Sequence, residues 1–287
     1  MKTEKGCMIF WIQWKGELKK MFSRKRTYIG FGAFLIVETA ILGLLQLPSA
    51  QRSLARVLEN GGFVFEDYYS GLTLAFLMMT NTLFFLGSLY LALVGGDVVA
   101  KEVEDGTLRM TLSRPVSRWR IMVLKYASLV VYTLSLMTFV TLTSLLIGIA
   151  YQGWGPLFIY APLQGIFSLL EPEQAAWRFV LNIPLLACVT MTISSLAFLF
   201  SCLKIKPAAA SILALSIFFL DMVLQLMPYF KSIHPWLLTH HMSVWVHLFQ
   251  DPIPWWKLAE SLFYLLGFNA TFFLVGAALF QIRDFKS

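Results

Sequence analysis

The amino-acid sequence predicts an all-α integral membrane protein, with six transmembrane helices preceded by an amphipathic helix in the interface. Three observations carry that expectation. Apolar residues make up 58% of the 287 and charged residues only 14%, against roughly 25% charged in an average soluble domain. The mean hydropathy is +0.70, so there is too little charge to cover a water-facing surface. Six apolar segments, 28–47, 72–94, 126–151, 179–203, 207–229 and 258–282, are each long enough to cross a hydrocarbon core, which needs about 20 residues. Barrel strands would alternate and run only about 9–11 residues.

The third observation is where the cations lie. Eighteen of the 23 Lys and Arg fall on the side that carries the amino terminus, and Arg52, Arg56, Arg178, Lys231 and Lys257 fall on the other. By the positive-inside rule both termini are expected in the cytoplasm of a multi-pass protein of the cell (inner, cytoplasmic) membrane. The net charge of +7 is then a topology signal, and no nucleic-acid partner is expected. Cys7, Cys188 and Cys202 are far apart with no CxxC pair, so neither a disulfide framework nor a zinc site is indicated.

Residues 1–27 form a cytoplasmic segment ahead of the six-helix domain, 28–287. Within it, residues 7–22 read as an interfacial helix. Met8, Trp11, Trp14, Leu18 and Met21 recur at three- and four-residue steps, with Gln13, Lys15, Glu17, Lys19 and Lys20 as polar surface. Arg24-Lys25-Arg26 would sit among lipid phosphates. The first span loosely imitates a cleaved signal peptide, ending Leu47-Pro48-Ser49-Ala50. Its long polar lead and the Glu38 inside it favour a retained helix.

The loop 97–125 has dense, mixed charge. Residues 97–105 can continue the second span into water, Asp105-Gly106 is a stop-and-turn signal, and Thr107 can cap a short helix, Thr107–Leu112. Pro115 disfavours helix at Arg114, and Ser117 can cap the third span. A short helix between two rigid rods reads as a docking knob.

Here the residues resemble a known family. Lys101-Glu102-Val103-Glu104-Asp105-Gly106-Thr107-Leu108, then Leu112-Ser113-Arg114-Pro115-Val116-Ser117-Arg118 and Lys125, are similar to the hallmark loop of ABC-2-type permeases. The branch resembled includes sodium-export and nitrous-oxide-reductase-maturation permeases. The chain departs at Arg109, where that family often has an acidic residue. The resemblance implies the type V exporter permease fold and a non-catalytic permease subunit of an ATP-driven exporter. It also implies pairing with a second copy or a sister permease, and docking of separate ABC ATPase subunits that carry ATP and Mg. The docking residues it implies are Glu102, Glu104, Asp105, Gly106, Thr107, Leu108, Arg109, Leu112, Ser113, Arg114, Pro115 and Arg118. No GxxxxGK[ST] occurs, so no cofactor is expected on this chain. On residue types alone, the same loop could merely anchor to anionic lipid with its charges paired internally.

Among the polar residues within the spans, Glu38, Asn81, Asp221 and Asn269 stand out. They could line a translocation path or form interhelical hydrogen bonds. A carboxylate near the midplane costs roughly 2.5–3.5 kcal/mol on insertion scales, so Glu38 should face protein or water, or be protonated. His234, His240, His241 and His247 all fall in 230–257. His240 and His247 would share a helical face, but no acidic or cysteine ligand completes a metal pattern. Trp236, Trp245, Trp255 and Trp256 with several prolines suggest short interfacial helices there, and the resemblance implies a re-entrant hairpin. Residues 152–178, with Trp154, Tyr160 and Trp177, read as a second interfacial element. Two other function classes compete. An ion-coupled carrier would show inverted repeats, and a membrane-embedded hydrolase would need a motif such as HExxH or GxSxG, which is absent.

Overall fold

The computed structural model describes residues 2–23, 25–112 and 116–283. Arg24, Ser113, Arg114 and Pro115 of the expected functional segments, and the side chains of Arg109 and Leu112, lie outside what is described. Helix α1 (Lys2–Phe22) leads into α2 (Lys25–Leu45), α3 (Pro48–Asn60) and the single turn α4 (Phe65–Tyr68). Next come α5 (Gly71–Thr82) and α6 (Ser88–Glu104), joined through the π-helical turn Leu83–Gly87, then α7 (Thr107–Leu112) and α8 (Arg118–Gln152). A hairpin of β1 (Leu157–Ala161) and β2 (Ile166–Leu170) precedes α9 (Pro172–Ser201), α10 (Pro207–Leu226), α11 (Leu238–Met242) and α12 (Trp255–Ile282).

Among the described residues the fold is all-α apart from that hairpin, and five uninterrupted helices are long and apolar enough to cross a membrane. The expected second span is a sixth helical run, 71–104, that neither α5 nor α6 completes alone. Its wide turn has a local cause. Just before it, Thr80 Oγ1 donates to Phe76 O and Asn81 Nδ2 to Leu77 O, each at 2.7 Å. Both compete for carbonyls of the α-helical ladder and loosen it.

The six runs alternate in direction. The starts of α2, α8 and α10 meet the ends of α6, α9 and α12 at one end of the bundle, which also carries both described termini; this is the loop end. The other, the hairpin end, is closed where Gly71 N donates to Gly153 O at 3.1 Å and Ser70 Oγ donates to Pro156 O. The hairpin is antiparallel, with Leu157 opposite Leu170. It buries Leu157, Ile159, Ile166 and Leu170 while Trp154, Tyr160 and Trp177 stay exposed, which gives the segment 152–178 its aromatic surface.

Helix α9 is the central mast. Two thirds of its apolar window is buried (67%), against 17–39% for the other four span-length helices. Its small residues, Ala187, Thr190, Ser194 and Ala197, let neighbours approach closely, the packing mode of helices without a hydrophobic drive between them. Gly95 and Gly96 of α6 supply the matching surface. A Cβ at Gly95 would collide with the Ser194 carbonyl of α9, and one at Gly96 with the Ser211 hydroxyl of α10. Gly95→Val should therefore part α6 from α9 and destabilise the protein by about 1–3 kcal/mol. Gly32→Ala, which meets nothing within 4 Å, should be neutral. Melting temperatures of the detergent-solubilised variants check both.

Candidate coupling site at the loop end

The loop between the second and third crossings forms as its residues dictate. Helix α6 stops at Glu104, where Asp105 N donates to Lys101 O at 2.9 Å and Gly106 N to Val103 O at 3.2 Å. Gly106 takes φ +70°, the left-handed conformation that glycine adopts freely after a helix. The chain then turns into α7. Thr107 is its first residue rather than its cap, and its hydroxyl donates back to Glu102 O at 3.4 Å. Ser117 caps α8 as expected, accepting from Arg120 N at 3.3 Å. Leu108 is 1% exposed and packs with Val98, Val99, Ile121 and Met122. Met110 is 67% exposed. The short helix is thus pinned by one side chain and presents another outward.

Two of the expected docking residues turn inward. Glu102 is 3% exposed, and its carboxylate lies 2.6 Å from Lys20 Nζ of α1 and 2.7 Å from Lys125 Nζ of α8. Lys125, 2% exposed, also reaches Glu17 of α1 at 3.2 Å. Burial disfavours the charged carboxylate, but the two ammonium groups outweigh it and hold the Glu102 carboxyl below its ordinary pKa. Arg118 donates to Gln281 O and Arg283 O, both at 2.9 Å, and so caps the end of α12. Arg283 in turn donates to Cys202 O at 3.1 Å and Leu203 O at 2.9 Å, beyond the end of α9. Cations at carbonyl-rich helix ends satisfy orphan acceptors and oppose the negative dipole. Glu104 and Asp105 stay at the surface, paired with Lys101 at 3.2 and 3.5 Å.

Sequence reasoning did not assign Glu17, Lys20, Lys125 or Arg283 to this arrangement. The available signal was Lys125 itself, a cation two turns inside the entry of a hydrophobic helix, which demands a partner. Helix α1 is seated by the same contacts. Trp14, Leu18 and Met21 are half-buried and Arg120 lies over the Phe10 ring at 5.6 Å. Trp11 of the expected apolar stripe is exposed instead, as is Ile12.

Glu38, Asn81, Asp221 and Asn269, the four residues singled out within the spans, are not brought together. Glu38 is fully buried and faces α8, where Ser144 Oγ donates to Oε1 at 2.8 Å; Oε2 has no hydrogen-bond partner among the described residues. Asn81 bonds within its own helix. Asn269 ties α12 to α9: Ser195 Oγ donates to Oδ1 at 2.7 Å and Nδ2 donates to Thr192 Oγ1 at 3.3 Å. Asp221 accepts from Leu238 N at 3.2 Å and Thr239 N at 2.7 Å, capping α11.

That cap is half of a clamp at the hairpin end. Arg178, 7% exposed, donates to Gln250 O at 2.9 Å and pairs with Asp251 at 3.2 Å, holding the far end of the 3-10 helix Ser243–Phe249. Between the two charges Phe249 is fully buried against Phe76 and Phe179. The change from α to 3-10 after Met242 removes the helical face that His240 and His247 were expected to share. Each histidine has its own partner instead, His241 lying between Ser261 Oγ at 3.2 Å and Pro235 O at 2.9 Å. Among the described residues no three His, Cys, Asp or Glu side chains converge as a metal site.

Breaking the buried ion cluster has a defined consequence. Lys125→Met leaves Glu102 buried with one cation fewer and should destabilise the protein by about 3 kcal/mol, the lower end for a broken buried pair. Adding Glu102→Gln should recover part of that loss. Melting of the solubilised full chain reads both, and a double variant no better than the single one would refute the coupling.

The family described as ABC-2 family transporter protein matches residues 11–285. No curated protein matches. The matched stretch contains the six helical runs, the loop with α7 and all but the first turns of α1. With five span-length apolar helices this is a multi-pass membrane protein and a component of membrane transport, of the kind that works with ABC ATPase subunits. The chain belongs to the ABC-2 family, the membrane permeases of ABC transporters.

Proposed function

We propose that this chain is the non-catalytic permease half of an ATP-driven exporter, docked through α7 by a separate ATPase subunit that carries ATP and Mg. The observation that supports it is the construction of α7: Leu108 locked into the packing of α6 and α8, Met110 67% exposed beside it. The docking surface on this reading is the exposed side of α7 with Glu104 and Asp105. Glu102 and Arg118 act behind it. A push on α7 reaches α6 and α8 through Leu108, α1 through Glu102, and α12 through Arg118. Displacing rods that are joined this way is a rigid-body switch, and alternating access follows from it.

The loop end is cytoplasmic on this reading, because the basic residues concentrate there. Helix α10, only 17% buried in its apolar window, exposes Ile212, Leu220 and Leu226. It offers surface to lipid or to a second permease copy. Of the four residues singled out within the spans, Glu38 is the one we retain for the translocation path. Asn81, Asp221 and Asn269 serve as hydrogen-bonding residues.

Met110→Glu tests the docking role. A charge in an apolar contact should reduce ATPase co-purification at least about tenfold, the equivalent of 1.4 kcal/mol. Expression and melting temperature should match the parent, because the Met110 side chain is 67% exposed. A cysteine at 110 in a cysteine-free background should resist membrane-impermeant maleimide in intact cells and react in inverted vesicles. Unchanged co-purification together with labelling from outside would sink the proposal.

A further inference from the structure

We propose that the 3-10 helix Ser243–Phe249 is a lid at the hairpin end, plugged by Phe249, and that its lifting exposes Asn182 and Thr82 to water. Both side chains are unpaired where pairing is the rule. Asn182 of α9 is fully buried, and neither Oδ1 nor Nδ2 has a hydrogen-bond partner among the described residues. Thr82 of α5 is fully buried too, and its Oγ1 has none. Buried polar groups are nearly always hydrogen-bonded, and one left unpaired loses its hydration without compensation. Residues of the same types elsewhere in the spans do find partners. Asn269 bonds to Ser195 and Thr192, and Thr80 and Thr190 donate to carbonyls four residues back. Asn182 and Thr82 are satisfied only in a second conformation that admits water.

The way in is from the hairpin end. Helices α5 and α9 both start there, and Phe76 and Phe179 meet on the buried Phe249, with ring centroids 5.3 and 5.1 Å from it. Thr82 lies six residues beyond Phe76 and Asn182 three beyond Phe179, about 9 and 4.5 Å deeper at 1.5 Å per residue. The aromatic contact is thus on the outer side of both polar side chains.

The lid is lightly fastened. Its seven residues run as 3-10 helix, a form whose poorer hydrogen bonds make runs beyond three or four residues uncommon. Arg178, which holds its far end at Gln250 O and Asp251, is one turn outside Asn182 on the same face of α9. The Asp251 side chain is 63% exposed, so water competes for that pair. Each rod also carries a joint beside its polar residue. Helix α5 passes into the π turn Leu83–Gly87 directly after Thr82, and Pro184 interrupts the ladder of α9 two residues after Asn182. Both side chains are neutral, so the opened surface offers hydrogen bonds to water or an uncharged polar group.

This second state deepens the alternating-access reading above, but its test needs no ATPase, so the two fail separately. The detergent-solubilised full chain is used in a cysteine-free background. Asn182→Cys should react slowly with a charged, water-soluble maleimide, and adding Asp251→Ala should speed the reaction at least about fivefold. Ala277→Cys, fully buried near the loop end of α12, should keep its rate. Asn182→Leu, which removes the unpaired groups at similar size, should raise the melting temperature by about 2–4 °C. Equal acceleration at both cysteines, none at position 182, or an Asn182→Leu protein melting at or below the parent temperature would each overturn the lid.

Discussion

A carboxylate deep in the protein, between two ammonium groups, organises the loop end. Taking Glu102 and Lys125 out of water is expensive for each alone, and only their mutual proximity, with Lys20 and Glu17 beside them, makes the burial sustainable. The arrangement cannot form until α1, α6 and α8 are all in place, because each contributes a charge. It therefore fixes the amphipathic helix, the end of one crossing and the start of the next relative to one another. The knob α7 sits directly on that junction, anchored by Leu108.

The same logic recurs at the helix ends. A helix buried among others leaves its last carbonyls without partners, and here arginines supply them: Arg118 at the end of α12, Arg283 beyond α9. At the hairpin end Asp221 meets the amino-terminal amides of α11 and Arg178 holds the far end of the following 3-10 turns. Charged residues that would be costly in hydrocarbon are thus placed where backbone groups need them. They convert separate rods into a connected frame. On the proposed function, these contacts are what would pass a displacement at one loop on to the other helices.

Much of this was legible in the residues. The spans, the stop at Asp105-Gly106, the helix Thr107–Leu112 and the Ser117 cap all follow from local rules of hydrophobic length, glycine conformation and capping. Local rules also mislead where partners are distant. Glu102 and Arg118 read as surface charges beside a docking knob, yet their partners lie 23 to 165 residues away in sequence. Asp221 read as a candidate on a transport path and is a helix cap. The π turn in 71–104 was missed because it interrupts an apolar run without changing its hydropathy, and the hairpin because its segment, 152–178, read only as an interfacial element.

Hydrophobic length and the placement of lysine and arginine, both properties of short stretches, determined from sequence alone that this chain crosses a membrane repeatedly and presents one structured loop. Only the tertiary structure decided which charges face solvent and which hold the frame together. The reason is physical: a charged side chain reads the same in sequence whether water or a buried counter-charge solvates it, and which of the two does so depends on helices brought together from opposite parts of the chain.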